Sequence, residues 1–157
     1  MKKLSVLSIA LSLLLGVSFT QAYAQDAAST NQKAGEAFMK KNAENPKIVT
    51  LPSGLQYEIL EEGTGPNPAK TDTVMVNYEG KLINGKVFDS SYERGQPATF
   101  PVGAVIAGWQ EALPLMKTGA TWMLYIPPSL AYGATGAGPI GPNETLVFKV
   151  NLISVNK

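Results

Sequence analysis

Thr145-Leu146-Val147-Phe148-Lys149-Val150-Asn151-Leu152-Ile153 decides the fold. Leu146, Phe148, Val150 and Leu152 fall on every second position, the repeat of a half-buried strand, and are expected to face inward. Upstream, Ala120-Thr121-Trp122-Met123-Leu124-Tyr125-Ile126 reads as a strand stopped by Pro127-Pro128. Thr73-Val74-Met75-Val76-Asn77-Tyr78-Glu79-Gly80 puts Val74, Val76 and Tyr78 on one face. Leu55 to Leu60 alternates in the same way after the turn Leu51-Pro52-Ser53-Gly54. Asn84-Gly85 is a hairpin signal joining Lys81-Leu82-Ile83 to Lys86-Val87-Phe88. Thr99-Phe100-Pro101-Val102 is one more short strand. The main domain offers one convincing helix, Ile106 to Met116, where Ile106, Trp109, Gln110, Leu113 and Met116 recur and Pro114 sets a limit. The pattern predicts an α+β domain over residues 50–157: an antiparallel, bent β-sheet wrapped around one short α-helix.

The first residues read differently. Met1-Lys2-Lys3 is a short basic start, Leu4 to Phe19 is apolar, and Ala22-Tyr23-Ala24 is a small-residue cleavage box, so residues 1–24 read as a secretory signal peptide. The apolar run is shorter than the roughly 20 residues of a spanning helix, so no stable membrane anchor is expected. The chain is therefore expected in the periplasm, at the outer membrane or secreted. Residues 25–49 read as a flexible or short helical extension, with Ala34, Ala37 and Phe38 on one thin apolar face. Gly35 weakens a helix there.

Composition excludes more than it identifies. The 157 residues contain no histidine and no cysteine, and the net charge is +1. Triads built on histidine, thiol chemistry and the usual zinc ligand sets are ruled out. A nucleic-acid binder would show a basic stripe, and none is present. The long Gly/Pro-rich segment from Ser129 to Asn143 carries its own aromatic residue, Tyr132, and loops of that length inside a compact domain are usually functional.

From Leu51 to Val155 the chain resembles the FKBP-type peptidyl-prolyl cis-trans isomerases. The resemblance is carried by Val74-Met75-Val76-Asn77-Tyr78-Glu79-Gly80, Asn84-Gly85-Lys86-Val87-Phe88-Asp89-Ser90-Ser91, Pro101 to Leu113, Ala131-Tyr132-Gly133-Ala134 and Asn143 to Leu152, all in family order. Gly35-Glu36-Ala37-Phe38 and Gly138 to Glu144 look like the exported bacterial branch, the macrophage infectivity potentiator type. That branch often has an N-terminal helical dimerisation module. Only a short segment precedes the domain here, so a monomer is expected.

The resemblance implies rotation of X-Pro bonds in exported proteins, without cofactor or metal. Asp89, the Tyr132 hydroxyl and the Ile106 backbone N–H would act on the amide. Tyr78, Phe88, Arg94, Val105, Trp109 and Phe148 would form the substrate pocket, with Trp109 as its floor. Pro139 and Ile140 would lie on the flap above it. Proline-containing polypeptides would be the substrates, and tacrolimus and rapamycin possible inhibitors. The resemblance also exposes a departure: Ala98 stands where relatives often carry a bulky aromatic, which predicts a wider or softer rim, with shifted sequence preference or weaker macrolide binding. The alternative to an enzyme is a non-catalytic chaperone or surface module holding apolar peptides in the same groove. Taken singly, Phe88, Val105, Ile106, Trp109 and Phe148 read as core, Asp89 as a turn residue and Arg94 as a solvated charge.

Overall fold

β3 (Thr73–Leu82) and β7 (Leu146–Asn156) form the spine of the molecule, pairing antiparallel from Thr73↔Asn156 to Leu82↔Leu146. The computed structural model describes residues 5–157. β3 alternates strictly, with Val74, Val76, Tyr78 and Leu82 buried, and Leu146, Phe148, Val150 and Leu152 of β7 are buried as the repeat requires. Before β3 come β1 (Ile48–Thr50) and β2 (Gln56–Glu61); after it come β4 (Val87–Ser90), β5 (Ala98–Pro101) and β6 (Thr121–Ile126). The antiparallel order is β1-β2-β6-β7-β3-β4, with β5 also on β3. Ala120, Leu124, Ile126 and Leu55 complete the sheet's inner face.

The helix expected in the sheet's concavity is α3 (Ala107–Ala112), continued by a 3-10 turn over Leu113–Leu115 where Pro114 interrupts regular bonding. It buries Trp109, Ala112 and Leu113 against the sheet. The hairpin at Asn84-Gly85 is present, but its first arm is the end of β3 and not a separate strand. One turn of helix, α2 (Ser91–Arg94), follows β4.

The N-terminal segment differs most from expectation. α1 (Ser5–Asn42) is one helix of 38 residues. It contacts the domain through a face other than the alanine face: Gly35 is buried and Phe38 and Met39 are half-buried, while Ala34 and Ala37 are exposed. The Phe38 and Tyr125 rings lie 6.0 Å apart, and the Gln56 side-chain amide donates to the Met39 carbonyl at 2.8 Å. Such tertiary contacts stabilise a helix whose own propensity is marginal. Met1-Lys2-Lys3 lies outside the described residues, as do the side chains of the apolar run, so the signal-peptide reading remains a sequence expectation.

Candidate active site

The site begins with a glycine. Gly80 on β3 pairs with both Asp89 and Phe148. A Cβ there would meet Phe148 at 2.6 Å and Phe88 at 2.7 Å, so the missing side chain is what lets two rings close over the strand. Directly opposite, the register slips: Gly80 faces Asp89 but Lys81 faces Val87, leaving Phe88 as an extra residue. Neighbours on a flat strand point to opposite faces. The bulge re-aims them, and Phe88 and Asp89 both line one cavity.

That cavity measures about 410 Å³. Its floor is Trp109, only 3 % exposed. The indole takes three edge-to-face neighbours: Tyr78 at 5.3 Å, Phe148 at 5.3 Å and Phe100 at 5.9 Å between centroids. Phe88 stands edge-on to Phe148 at 5.5 Å. Each such pair adds about 0.5–1.5 kcal/mol beyond burial, so the floor is stiff. Val105 and Ile106 supply the aliphatic wall at the start of α3, where the Ile106 carbonyl accepts from the amides of Trp109 and Gln110. The Gln110 side chain donates to the Val105 carbonyl at 2.7 Å and fixes that turn. Tyr132 stands at the rim, 40 % exposed.

One carboxylate serves this apolar hollow. The Tyr78 hydroxyl donates to Asp89 Oδ2 at 2.5 Å, Arg94 pairs with Asp89 Oδ1, and Arg94 Nη2 donates to the Tyr78 hydroxyl at 2.9 Å. α2 makes this triangle possible. Ser90 caps it by accepting from the Glu93 amide, and buried Ser91 accepts from the Tyr78 amide at 2.8 Å, so Arg94 is turned back over Asp89. Burial alone would raise the Asp89 pKa, but the hydrogen bonds from Tyr78 and Arg94 and the guanidinium charge outweigh it and hold the carboxyl below its ordinary range. Burial first, then the bond to Asp89, pushes the Tyr78 phenol up. At neutral pH the pair is an ionised acid and a neutral phenol.

Of the residues expected at the pocket, Tyr78, Phe88, Asp89, Val105, Ile106, Trp109, Tyr132 and Phe148 line it together. Arg94 reaches it through Asp89. Pro139 and Ile140 do not line it: Pro139 is exposed, and Ile140 is buried in the core and bridges to Ala137. Phe100 and Ala104 line it without having been anticipated. The Thr99-Phe100 alternation contained the signal for Phe100, since a strand there must point one of the two inward. Ala98 packs against the core and is not among the lining residues.

Residues 65–153 match the family model for FKBP-type peptidyl-prolyl cis-trans isomerase. The chain belongs to this family. Residues 12–59 match the model for the domain amino terminal to such isomerases. That match overlaps the leader pattern at residues 12–24. Among curated family members, the peptidyl-prolyl cis-trans isomerase Mip of Coxiella burnetii is 61% identical over 128 residues, covering 81% of this chain and 56% of that protein. Outer membrane protein MIP of Legionella longbeachae is 56% identical over 131 residues, covering 83% of this chain and 56% of that protein. The chain thus spans about half the length of these relatives. The crystal structure of FkpA from Escherichia coli superposes with a TM-score of 0.89 at 39% identity, covering 99% of this chain and 74% of that one.

Proposed function

We propose that this chain is a peptidyl-prolyl cis-trans isomerase acting on exported polypeptides. One observation carries the reading: a cavity floored by an indole, walled by aromatic and aliphatic side chains, with one ionised carboxylate at its edge. X-Pro rotation needs no bond to form or break. It needs the amide to lose its double-bond character, against a barrier of about 18–20 kcal/mol. A site lowers that barrier by binding the twisted amide better than the planar one. The twisted form has less charge separation, so an apolar pocket that strips water from the amide favours it. A millionfold acceleration asks for about 8 kcal/mol of such preference.

In this reading the prolyl ring rests on Trp109 between Tyr78, Phe88 and Phe148. Asp89, held by Tyr78 and Arg94, faces the twisting amide. The Ile106 N–H and the Tyr132 hydroxyl take substrate carbonyls. In the same reading, tacrolimus and rapamycin would inhibit by occupying this pocket. The leader pattern at residues 1–24 supports export to the periplasm or beyond, as does the name of the Legionella relative.

A protease-free assay of cis-to-trans conversion on a series of X-Pro peptides tests the activity. Catalysed conversion that weakens in Asp89→Leu and Tyr132→Phe is expected. Unchanged rates in both variants, with suppression of client aggregation retained, would replace the enzyme by a peptide-holding module.

A further inference from the structure

We infer that α1 is a positioning element for Tyr132, acting through Asn31 and Gly35; the inference rests on the isomerase reading. Tyr132 lines the aromatic cavity, and its neighbours Gly133 and Ala134 line a second cavity of about 510 Å³ behind the same loop. The far wall of that second cavity is α1, through Gln32, Gly35, Glu36 and Met39. A backbone fixed from behind therefore fixes the side chain in front.

Two of the loop's internal ties hold the stretch around Tyr132. The Gly136 amide donates to the Tyr132 carbonyl at 3.1 Å, and the Asn143 amide donates to the Gly133 carbonyl at 2.9 Å. Asn143 has φ +54°, the one non-glycine residue at positive φ among the described residues. Such a conformation persists where its surroundings hold it. Here the surroundings include α1: Asn143 Nδ2 donates to the Ala28 carbonyl at 3.4 Å, and Asn31 Nδ2 donates to the Pro142 carbonyl at 2.8 Å.

Gly35 points the same way. Glycine is a poorer helix former than alanine, so a role confined to the helix would not select it. A Cβ at Gly35 would collide with Oγ1 of Thr145 and come within 3.2 Å of its Cβ. Thr145 is 2 % exposed and stands where the loop enters β7. Residues 28, 31 and 35 share one helix face, and all three meet the base of the loop that carries Tyr132.

The test uses the full chain with Asn31→Ala and Gly35→Ala, read by amide hydrogen exchange and by kcat/KM on an X-Pro peptide. Both variants should speed exchange at Gly136 and Asn143 while β3 amides keep their protection. Both should lower kcat/KM by about fivefold, within the range of couplings carried through packed contacts. In a Tyr132→Phe background neither should lower it further, and Thr145→Ala should rescue Gly35→Ala. Unchanged exchange in Asn31→Ala overturns the fastening. An equal loss of activity with and without the Tyr132 hydroxyl overturns the route through Tyr132. A parent chain that does not isomerise overturns the enzyme reading and Tyr132's part in it, while the exchange data still decide whether α1 holds the loop.

Discussion

Two cavities share one loop, and they differ in what surrounds them. The one in front, about 410 Å³, is built on β3, β4, β7 and α3 from interlocked aromatic rings and one ionised carboxylate. The one behind, about 510 Å³, is larger and is lined by glycines, prolines, Met39, Ala134 and polar residues both of α1 and of the loop and its exit at Thr145, with no aromatic ring. Size favours the second and chemistry favours the first. A ligand site needs apolar surface with a few convergent polar groups, and the front cavity gathers its aromatic rings around one ionised carboxylate. The back cavity is what remains where a helix rests on a loop.

The sharpest way to break this contrast is Trp109→Ala. The indole is almost fully buried and touches three rings. Its removal should cost about 3–5 kcal/mol of stability, read as a lower denaturant midpoint. Met39→Ala, behind the loop and only half-buried, should cost less than about 2 kcal/mol. Similar costs for both would mean that the front floor is no stiffer than the back wall.

Next in size is the effect of Asp89→Leu on isomerisation. Losing the carboxylate frees Tyr78 and Arg94 from their shared partner and removes the only acid lining the cavity. A fall in kcat/KM on the order of tenfold or more is expected, because small losses of positioning near a reacting group are expensive. Stability should change little, since the pair is partly exposed. A large loss of stability with unchanged kcat/KM would assign Asp89 to the scaffold.

The inward faces of the main strands were legible in the sequence pattern, the part of Trp109 as floor came from family likeness, and the way Phe88 and Asp89 meet was not legible. Period-two alternation gave the inward faces of β3 and β7, because a sheet with one buried face must alternate. A bulge is a property of a strand pair, so no single stretch shows that Phe88 and Asp89 will line the same hollow. Phe100 went unrecognised because its short strand pairs with β3 rather than extending a longer pattern. The packing face of α1 was hidden for a related reason. Its key position is a glycine, which carries no hydropathy signal and gains meaning only from Thr145, far along the chain. The flap residues Pro139 and Ile140 came from family likeness alone, and the local bridge to Ala137 turns Ile140 into the core.

The pH dependence gives a third test of the front cavity. Asp89 has a folded pKa below its ordinary value, so its contribution to stability is complete above about pH 4–5 and is lost as pH falls through the lowered value. Tyr78 is shifted upward, so its contribution is complete below about pH 10 and is lost as pH rises through the raised value. Neither group titrates between about pH 5 and 9, and isomerisation rates corrected for the peptide's own titration should be flat there. A limb near neutrality would require a proton-transfer group that the cavity does not contain.

The smallest effect is expected from Ala98→Phe, which tests how much of the front rim depends on this position. Likeness to relatives predicts a wider or softer rim, with shifted sequence preference or weaker macrolide binding, because an aromatic is missing there. The structure shifts the weight of that expectation, since Phe100 already stands edge-on to Trp109 and lines the cavity, while Ala98 packs into the core beside it. A phenylalanine added at 98 therefore meets a wall that already exists, and its gain is limited to whatever new apolar contact reaches the ligand. Buried apolar area contributes about 25 cal/mol per Å², so a ring edge covering a few tens of Å² improves rapamycin affinity by less than about fivefold in a tryptophan-fluorescence titration. A gain of about a hundredfold would show that the rim, and not the indole floor, limits what this cavity holds.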